Sequence, residues 1–293
     1  MNNKTFFVVG GDLRQLHLAE LLSEENTVYT MGFDNDIRIS DKIIDAQALC
    51  QLAEPPQVII LPIPTSVDSK TVNTPLSYKH IKLSDVIEIA DKDTLILAGK
   101  PVDELKKLCE QKDLPLIDYM DREELSVLNA VPTAEGALQI AMEELPITLY
   151  GSNCLITGMG RIAKVLVRFL CGMGANVTVA ARKQSDLAWA KIYGCSTVYT
   201  SELGEKLGDI DVVFNTVPAM ILNKQMLSRL DKNCLVIDLA SKPGGVDFKI
   251  AKELSLKTIW ALSLPGKVAP ISAGKIIKDT IDNIMRERRE EGF

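Results

Sequence analysis

The stretch from Asn153 to Lys183, NCLITGMGRIAKVLVRFLCGMGANVTVAARK, decides the fold. A short apolar run ends at Gly158, and an apolar pattern at helical spacing follows as far as Gly172. A second apolar run then begins at Val177 and ends before the basic pair. Strand, glycine turn, helix and strand in this order are typical of a dinucleotide-binding unit.

Each small residue of the Gly158-x-Gly160-x-x-Ala163 pattern has a physical role in that unit. Gly158 permits the tight turn, Gly160 lets the backbone approach a pyrophosphate, and Ala163 allows the helix to pack closely on the strand. The free N–H groups at the helix start attract the anion. The alternative interpretation is a tight βα turn that binds nothing.

The end of the second strand indicates which cofactor is bound. An NAD site usually carries an acid about 20 residues past the glycines, to hold the ribose hydroxyls. Here the position is taken by Arg182 and Lys183, and the first acid is Asp186. Because a basic pair attracts a 2′-phosphate, we predict NADP, with NAD as the alternative cofactor. A solvated basic turn is the other interpretation.

The predicted cofactor-binding residues lie at the ends of strands in this half of the chain. They are Gly158, Met159, Gly160, Arg161, Ile162, Ala181, Arg182, Lys183, Asn215, Thr216, Val217, Pro218, Leu239 and Ala240.

Composition excludes several classes of protein. A net charge of -6 without a long basic run argues against nucleic acid as a binding partner, and no apolar segment is long enough to span a membrane. Six cysteines without a C-x-x-C indicate reduced core thiols in a cytoplasmic protein. Since there are only two histidines, we expect no metal site.

Alternating strands and helices predict an α/β fold of two doubly wound, Rossmann-like domains with parallel sheets. Residues 1–130 are expected to form the substrate domain and residues 131–150 a long connecting helix. Residues 151–268 then form the cofactor domain, and helix 269–293 packs back on the first domain. A cleft between the domains would hold the substrate.

Further candidates lie in turns that follow predicted strands. Arg14 lies in the first turn of a helix after Gly10-Gly11-Asp12, a placement that suggests a nearby anion. An Arg14 that is paired with Asp12 or solvated is an equal alternative. Thr65 and Ser66 follow a buried strand and are candidate donors to a carboxylate, or parts of an ordinary loop.

The turn near Pro132 supplies two more candidates. Thr133 and Glu135 lie in the first turn of the predicted connecting helix, as ligand contacts or as capping residues. Neither His17, inside an apparent helix, nor His80, in a polar loop, is supported as a base.

Six stretches together resemble the A subunit of bacterial dipicolinate synthase across the whole chain. They are VGGDLRQ at 9–15, VPTAEG at 131–136, TGMGR at 157–161, NTVP at 215–218, DLASKPGG at 238–245 and LPGKVAP at 264–270. In the last of these, Lys267 stands where other members carry a small or apolar residue, so no family-wide catalytic role is carried over to it. The turns also look like those of shikimate and alanine dehydrogenases.

The resemblance implies an enzyme that oxidises dihydrodipicolinate to dipicolinate in the cytoplasm of the mother cell of a sporulating bacterium. It implies NADP as hydride acceptor and a partner B subunit that resembles flavoproteins. We also expect the chain to form a homo-oligomer. A dicarboxylate substrate calls for cations and hydroxyl donors. The substrate-binding candidates are therefore Arg14, Thr65, Ser66, Thr133 and Lys267, and the catalytic candidates are Asp12, Glu135 and Ser241.

Two other functions stay open. One is an NADP oxidoreductase of shikimate or alanine dehydrogenase type, which commonly has a Lys-Asp or Lys-His pair that we do not find here. The other is a nucleotide-binding subunit whose chemistry lies on its partner.

Overall fold

The computed structural model describes residues 4–34, 40–52 and 54–292. It divides into two compact units, residues 1–128 together with 269–293, and residues 129–268. Asp36, in a polar stretch of the sequence, and the side chain of Cys50, expected to be a core thiol, lie outside the described part. No helix in the described ranges is long and apolar enough to cross a bilayer.

The first unit contains a six-stranded parallel sheet. Its strands are β1 Thr5–Val9, β2 Thr27–Met31, β3 Ile44–Asp45, β4 Val58–Ile60, β5 Leu95–Ala98 and β6 Leu116–Asp118. They lie in the order β3-β2-β1-β4-β5-β6. Successive residues of β1, from Phe6 to Val9, are all buried, because helices and loops cover both faces of the sheet.

The described part of this unit contains five α-helices. They are α1 Leu13–Leu22, α2 Leu83–Glu88, α3 Asp103–Gln111, α4 Glu123–Leu128 and α11 Pro270–Glu290. The carboxylate of Asp12 caps α1 by accepting a hydrogen bond from the Arg14 backbone N–H at 3.0 Å. Helix α11 packs against α1 at Gly274, where a Cβ would lie 2.7 Å from the Arg14 carbonyl oxygen. A glycine is therefore needed at this helix contact.

The second unit repeats the arrangement. Its strands are β7 Asn153–Thr157, β8 Asn176–Ala181, β9 Ser196–Tyr199, β10 Val212–Asn215, β11 Leu235–Asp238 and β12 Lys257–Trp260. They form a parallel sheet in the order β12-β11-β10-β7-β8-β9. Strands β8 and β9 lie on one side of β7, and β10 to β12 lie on the other. The carboxyl ends of β7 and β10 therefore mark the point where the strand order reverses, and such folds bind ligands there.

Helices cover both faces of this second sheet. They are α5 Ala130–Glu144, α6 Arg161–Gly172, α7 Gln184–Ile192, α8 Lys224–Leu227, α9 Phe248–Glu253 and α10 Leu264–Val268. The buried face of α6, with Ala163, Leu166 and Leu170, packs in one core with α5 and α7. Helices α8 and α9 pack in the core on the opposite face.

The predicted α/β class with two parallel Rossmann-like sheets is confirmed. The short strand β3 was not predicted. It pairs with Tyr29 and Thr30 at the edge of the first sheet, and a two-residue strand carries too few residues for an alternating pattern.

Candidate functional site

Nine of the fourteen predicted cofactor residues line a cavity of about 270 Å³ at the carboxyl ends of β7, β8 and β10. Those that line it are Gly158, Met159, Gly160, Ala181, Arg182, Lys183, Thr216, Val217 and Pro218. A larger cavity of about 640 Å³ lies in the first unit beside Asp68, Lys82 and Asp103. Because the smaller cavity contains the glycine turn between β7 and α6 and lies at the switch point of the second sheet, we place the cofactor there.

Gly158 makes the turn from β7 into α6 possible. Its φ of 90° is in the left-handed region, and an added Cβ would lie 2.7 Å from the Thr216 hydroxyl oxygen and 2.9 Å from Val217. The turn is held by hydrogen bonds from the Gly158 N–H to the Ala180 carbonyl oxygen and from the Thr216 hydroxyl to the Thr157 carbonyl oxygen. A side chain at this position would therefore be strained and would displace the neighbouring turn.

Gly160 has a different environment. It precedes the first residue of α6 in an extended conformation, and a Cβ built there would meet nothing within 4 Å. The space beside the backbone is therefore open at the start of a helix that has no side-chain cap. Free N–H groups facing an open space fit a pyrophosphate group.

The charges along the cavity rim are mixed but net positive. Arg182 and Lys183 are exposed directly after β8, and Asp186 is half-buried in the first turn of α7. All three line the cavity. Two cations against one carboxylate leave an excess positive charge where the cofactor ribose is expected.

Buried polar groups fix the strand ends behind the cavity. Asn215 at the end of β10 is fully buried and accepts a hydrogen bond from the Thr157 hydroxyl at 2.5 Å. Its amide nitrogen donates to Asp238 at 2.7 Å and to the Val217 carbonyl oxygen at 3.0 Å. Asp238 also accepts from the backbone N–H groups of Ala240 and Gly245. Asn215 therefore shapes the site from behind and does not line it.

Four other predicted cofactor residues do not line the cavity. Arg161 and Ile162 lie in the first turn of α6, and Leu239 and Ala240 are buried after β11. Their role in cofactor binding stays a prediction.

Sequence reasoning missed five residues that line the cavity. They are Thr157, Ala180, Asp186, Thr200 and Ile221. Thr200 follows β9, the neighbour of β8, so the rule that parallel strands end at one edge of a sheet was a signal for it.

In the first unit, Asp12 and Arg14 form a pair. The Arg14 Nε donates to the two Asp12 carboxylate oxygens at 2.9 and 3.1 Å, and Nη2 donates to Oδ2 at 2.8 Å. Nη2 also donates to the Ile63 carbonyl oxygen at 3.3 Å, and the arginine side chain is only 8% exposed. Of the two interpretations of Arg14, the structure shows the pairing with Asp12.

Two residues beneath this turn were not predicted. Gln15 donates to the Leu61 carbonyl oxygen and to the Tyr119 hydroxyl, and that hydroxyl donates to Leu61 at 2.8 Å. Burial raises the pKa of Tyr119, so the phenol stays protonated. Tyr119 lies 104 residues from Gln15 along the chain, and nothing in the local sequence predicts their contact.

Thr65 and Ser66 make internal hydrogen bonds. Thr65 is fully buried, and its hydroxyl donates to the Gly99 carbonyl oxygen at 3.0 Å. The Ser66 hydroxyl donates to Asp68 at 3.0 Å, and three further hydrogen bonds from residues 70 and 71 lower the pKa of that carboxyl. Both hydroxyl protons are thus engaged here, and substrate binding by these residues stays a prediction.

The remaining candidates belong to the second unit. Thr133 donates its hydroxyl proton to the carbonyl oxygen of Asn129, the residue before α5, at 2.7 Å. Glu135 on α5, Ser241 after β11 and Lys267 on α10 are exposed. Whether these four meet Asp12 and Arg14 in one site stays a prediction. No cluster of three or more potential metal ligands occurs among the described residues.

Comparison with known proteins accounts for both units. A family model for the N-terminal domain of the dipicolinate synthase A subunit matches residues 5–120. A model for the NAD binding domain of D-isomer specific 2-hydroxyacid dehydrogenases matches residues 133–249. The chain is 34% identical over 292 residues to the dipicolinate synthase A subunit of Bacillus subtilis strain 168, with 97% of each chain covered.

The chain belongs to the family of dipicolinate synthase A subunits. Two solved structures of this family support the assignment. That from Bacillus halodurans has a TM-score of 0.88 at 30% identity and covers 96% of this chain and 97% of its own. That from Bacillus subtilis has a TM-score of 0.88 at 31% identity, with 99% and 98% covered.

The predicted resemblance is thereby confirmed. The second unit carries a dehydrogenase-type NAD-binding domain, which indicates a nicotinamide cofactor. Membership in a family of A subunits also implies a partner subunit.

Proposed function

We propose that the chain is the NADP-dependent dehydrogenase subunit of a dipicolinate synthase, which oxidises dihydrodipicolinate to dipicolinate (pyridine-2,6-dicarboxylate) in the mother cell during sporulation. The observation that carries the proposal is the cavity formed by Gly158, Gly160, Arg182 and Lys183, in a chain of this family.

The glycine turn and the basic pair are assigned different parts of the cofactor. The backbone beside Gly160 holds the pyrophosphate, since the space there is open. Arg182 and Lys183 hold the 2′-phosphate, which is why we propose NADP over NAD. When bound, the cofactor accepts a hydride.

The reaction places few demands on the protein. Dihydrodipicolinate loses one hydride to NADP and one proton to a base, and the product ring is aromatic, which favours the products. The chain's main task is then to hold a dicarboxylate in the reacting geometry and to remove the proton. A strong nucleophile is not required.

Arg14 is the best supported of the proposed substrate-binding residues. Its guanidinium is fixed by Asp12 and by the Ile63 carbonyl oxygen, so little side-chain freedom is lost when a carboxylate binds. We assign Thr65, Ser66, Thr133 and Lys267 to the same substrate as weaker candidates. Asp12, Glu135 and Ser241 are the candidates for proton transfer. For Asp12 this role requires that one carboxylate oxygen be released from its hydrogen bonds to Arg14.

The domain plan is proposed on the same basis. Residues 1–130 bind substrate, residues 131–150 connect, residues 151–268 bind NADP and residues 269–293 return to the first domain. Assembly into a homo-oligomer and a flavoprotein-like B subunit complete the proposed enzyme.

The test follows absorbance of reduced cofactor. Purified chain, alone and with the B subunit, is mixed with NADP and freshly generated dihydrodipicolinate. Reduction by the chain alone is the expected result. If neither mixture reduces NADP while shikimate is oxidised, the proposal is wrong.

One observation favours a second candidate, a nucleotide-binding subunit whose chemistry lies on the partner. Among the proposed acid–base and hydroxyl residues, Asp12, Thr65 and Ser66 are engaged in internal hydrogen bonds. Reduction that requires both subunits, together with NADP binding by the chain alone, would favour this candidate.

A further inference from the structure

A second cavity of the cofactor unit is unexplained by the proposed reaction. It has a volume of about 620 Å³ and lies between α5, α6 and the end of α7. We call it the basic groove and define it by Val131, Lys164, Val165, Arg168, Phe169 and Tyr193. None of these residues lines the cofactor cavity.

The groove presents apolar surface to solvent. Val131 is 38% exposed and Tyr193 is 41% exposed, while Phe169 is partly buried against the core beneath. Trp189 stacks on Tyr193 with ring centroids 6.0 Å apart and is itself 48% exposed. Adjacent exposed aromatic and aliphatic side chains mark a surface for protein contact.

The two charged residues that line the groove, Lys164 and Arg168, are both cations. Helix α6 contains Lys164 and Arg168 and no acidic residue. The Lys164 ammonium lies 6.0 Å from the centre of the Trp189 ring, and neither cation forms an ion pair with a described residue. Glu135, one turn along α5 from Val131, is likewise not paired with them.

The positive charge of the groove favours an acidic partner protein over a second copy of this chain. A symmetric contact with a second copy would place Lys164 and Arg168 against the same cations, which is repulsive. The groove is cationic although the chain as a whole has a net charge of -6. A partner with carboxylates around an apolar anchor would neutralise both cations, and a cavity of this size accommodates one or two large side chains.

We propose that the basic groove docks a partner protein through an acidic segment with an aromatic or aliphatic anchor. This inference rests on the proposed function in one respect, since the partner protein used as the probe is the B subunit of the same synthase.

The test measures how tightly the B subunit binds to the full chain and to a double variant, Lys164→Glu with Arg168→Glu. The matched control is Lys224→Glu with Lys249→Glu, which reverses two exposed lysines on α8 and α9, across the second sheet. Melting temperature and NADP affinity show that each variant is folded. We expect the groove variant to bind about tenfold or more weakly, the control to bind as wild type, and wild-type affinity to fall with salt.

Three results would overturn the proposal, and the first two concern binding to the B subunit. One is wild-type affinity of the groove variant for the B subunit, and another is no binding between the wild-type chain and the B subunit. The third is loss of self-association in the groove variant with its affinity for the B subunit unchanged, which assigns the groove to a second copy. NADP reduction by the chain alone is measured in parallel, so failure of docking and failure of the proposed reaction are separate outcomes.

Discussion

The Asn215 side-chain amide donates a hydrogen bond to the Asp238 carboxylate at 2.7 Å, and both residues are fully buried. They are the last residues of β10 and β11, neighbouring parallel strands. The same carboxylate accepts the backbone N–H groups of Ala240 at 3.0 Å and Gly245 at 2.8 Å. One side chain thus holds the ends of two strands and the loop that follows β11.

Replacement of Asp238 by alanine should destabilise the second unit strongly. The change leaves one N–H of the Asn215 amide and the backbone N–H groups of Ala240 and Gly245 buried without their acceptor, and each such group costs about 1–3 kcal/mol. We expect a loss of about 3 kcal/mol or more in the free energy of unfolding, measured by urea denaturation. Asp209→Ala, at an exposed position of the same unit, is the control. Equal stability of the two variants would show that the carboxylate is not needed.

The two glycines of the turn should respond differently to alanine. Gly158→Ala forces a side chain into a left-handed conformation and against Thr216, so we expect a loss of about 1–2 kcal/mol together with weaker NADP binding. Gly160→Ala places its Cβ in open space, so stability should change by less than about 0.5 kcal/mol while NADP affinity falls. Thermal unfolding and titration calorimetry measure both quantities. Undiminished NADP affinity in Gly160→Ala would contradict the proposed pyrophosphate position.

An ion pair in the first unit predicts a pH dependence. The Arg122 guanidinium donates to both carboxylate oxygens of Glu287 on α11, at 2.6 and 2.7 Å, and this lowers the pKa of Glu287. A depressed carboxyl pKa contributes stability above its unfolded value, about 4.3, and the contribution is lost as pH falls through the folded pKa.

Glu287→Gln should therefore be less stable than wild type at pH 7, and the difference should shrink below about pH 4. Urea denaturation at several pH values measures it, with Glu290→Gln, at an exposed position on the same helix, as the control. A difference that stays constant down to about pH 3 would show that the ion pair is not its source.

Local patterns were sufficient for much of the fold. The turn at Gly158 could be predicted because its residues are adjacent in sequence and each has one steric role. The buried strands were predicted from continuous apolar runs such as Phe6 to Val9. The contacts of Asn215 with Asp238 and of Gln15 with Tyr119 could not be predicted, because they join residues that only the sheet order brings together.

In the candidate site, too, local sequence order predicted some features, whereas contacts between distant residues could not be predicted. Arg182 and Lys183 follow a strand of the predicted unit, and their place on the cavity follows from that local order. Thr65 was chosen as a donor because it follows a buried strand, but a strand-end position does not reveal which way a hydroxyl points. In the structure it points to Gly99, a residue 34 positions away.

The proposal that the second unit binds NADP through a basic pair is tested most directly by cofactor affinity. Calorimetric titration of wild type, Arg182→Ala and the control Lys191→Ala with NADP and with NAD measures it. A lost charge-assisted contact to the 2′-phosphate is worth about 1.5–3 kcal/mol, so NADP binding to Arg182→Ala should weaken by roughly 10- to 100-fold while NAD binding changes less than about twofold. Equal loss for both cofactors, or tighter binding of NAD by wild type, would contradict the proposal.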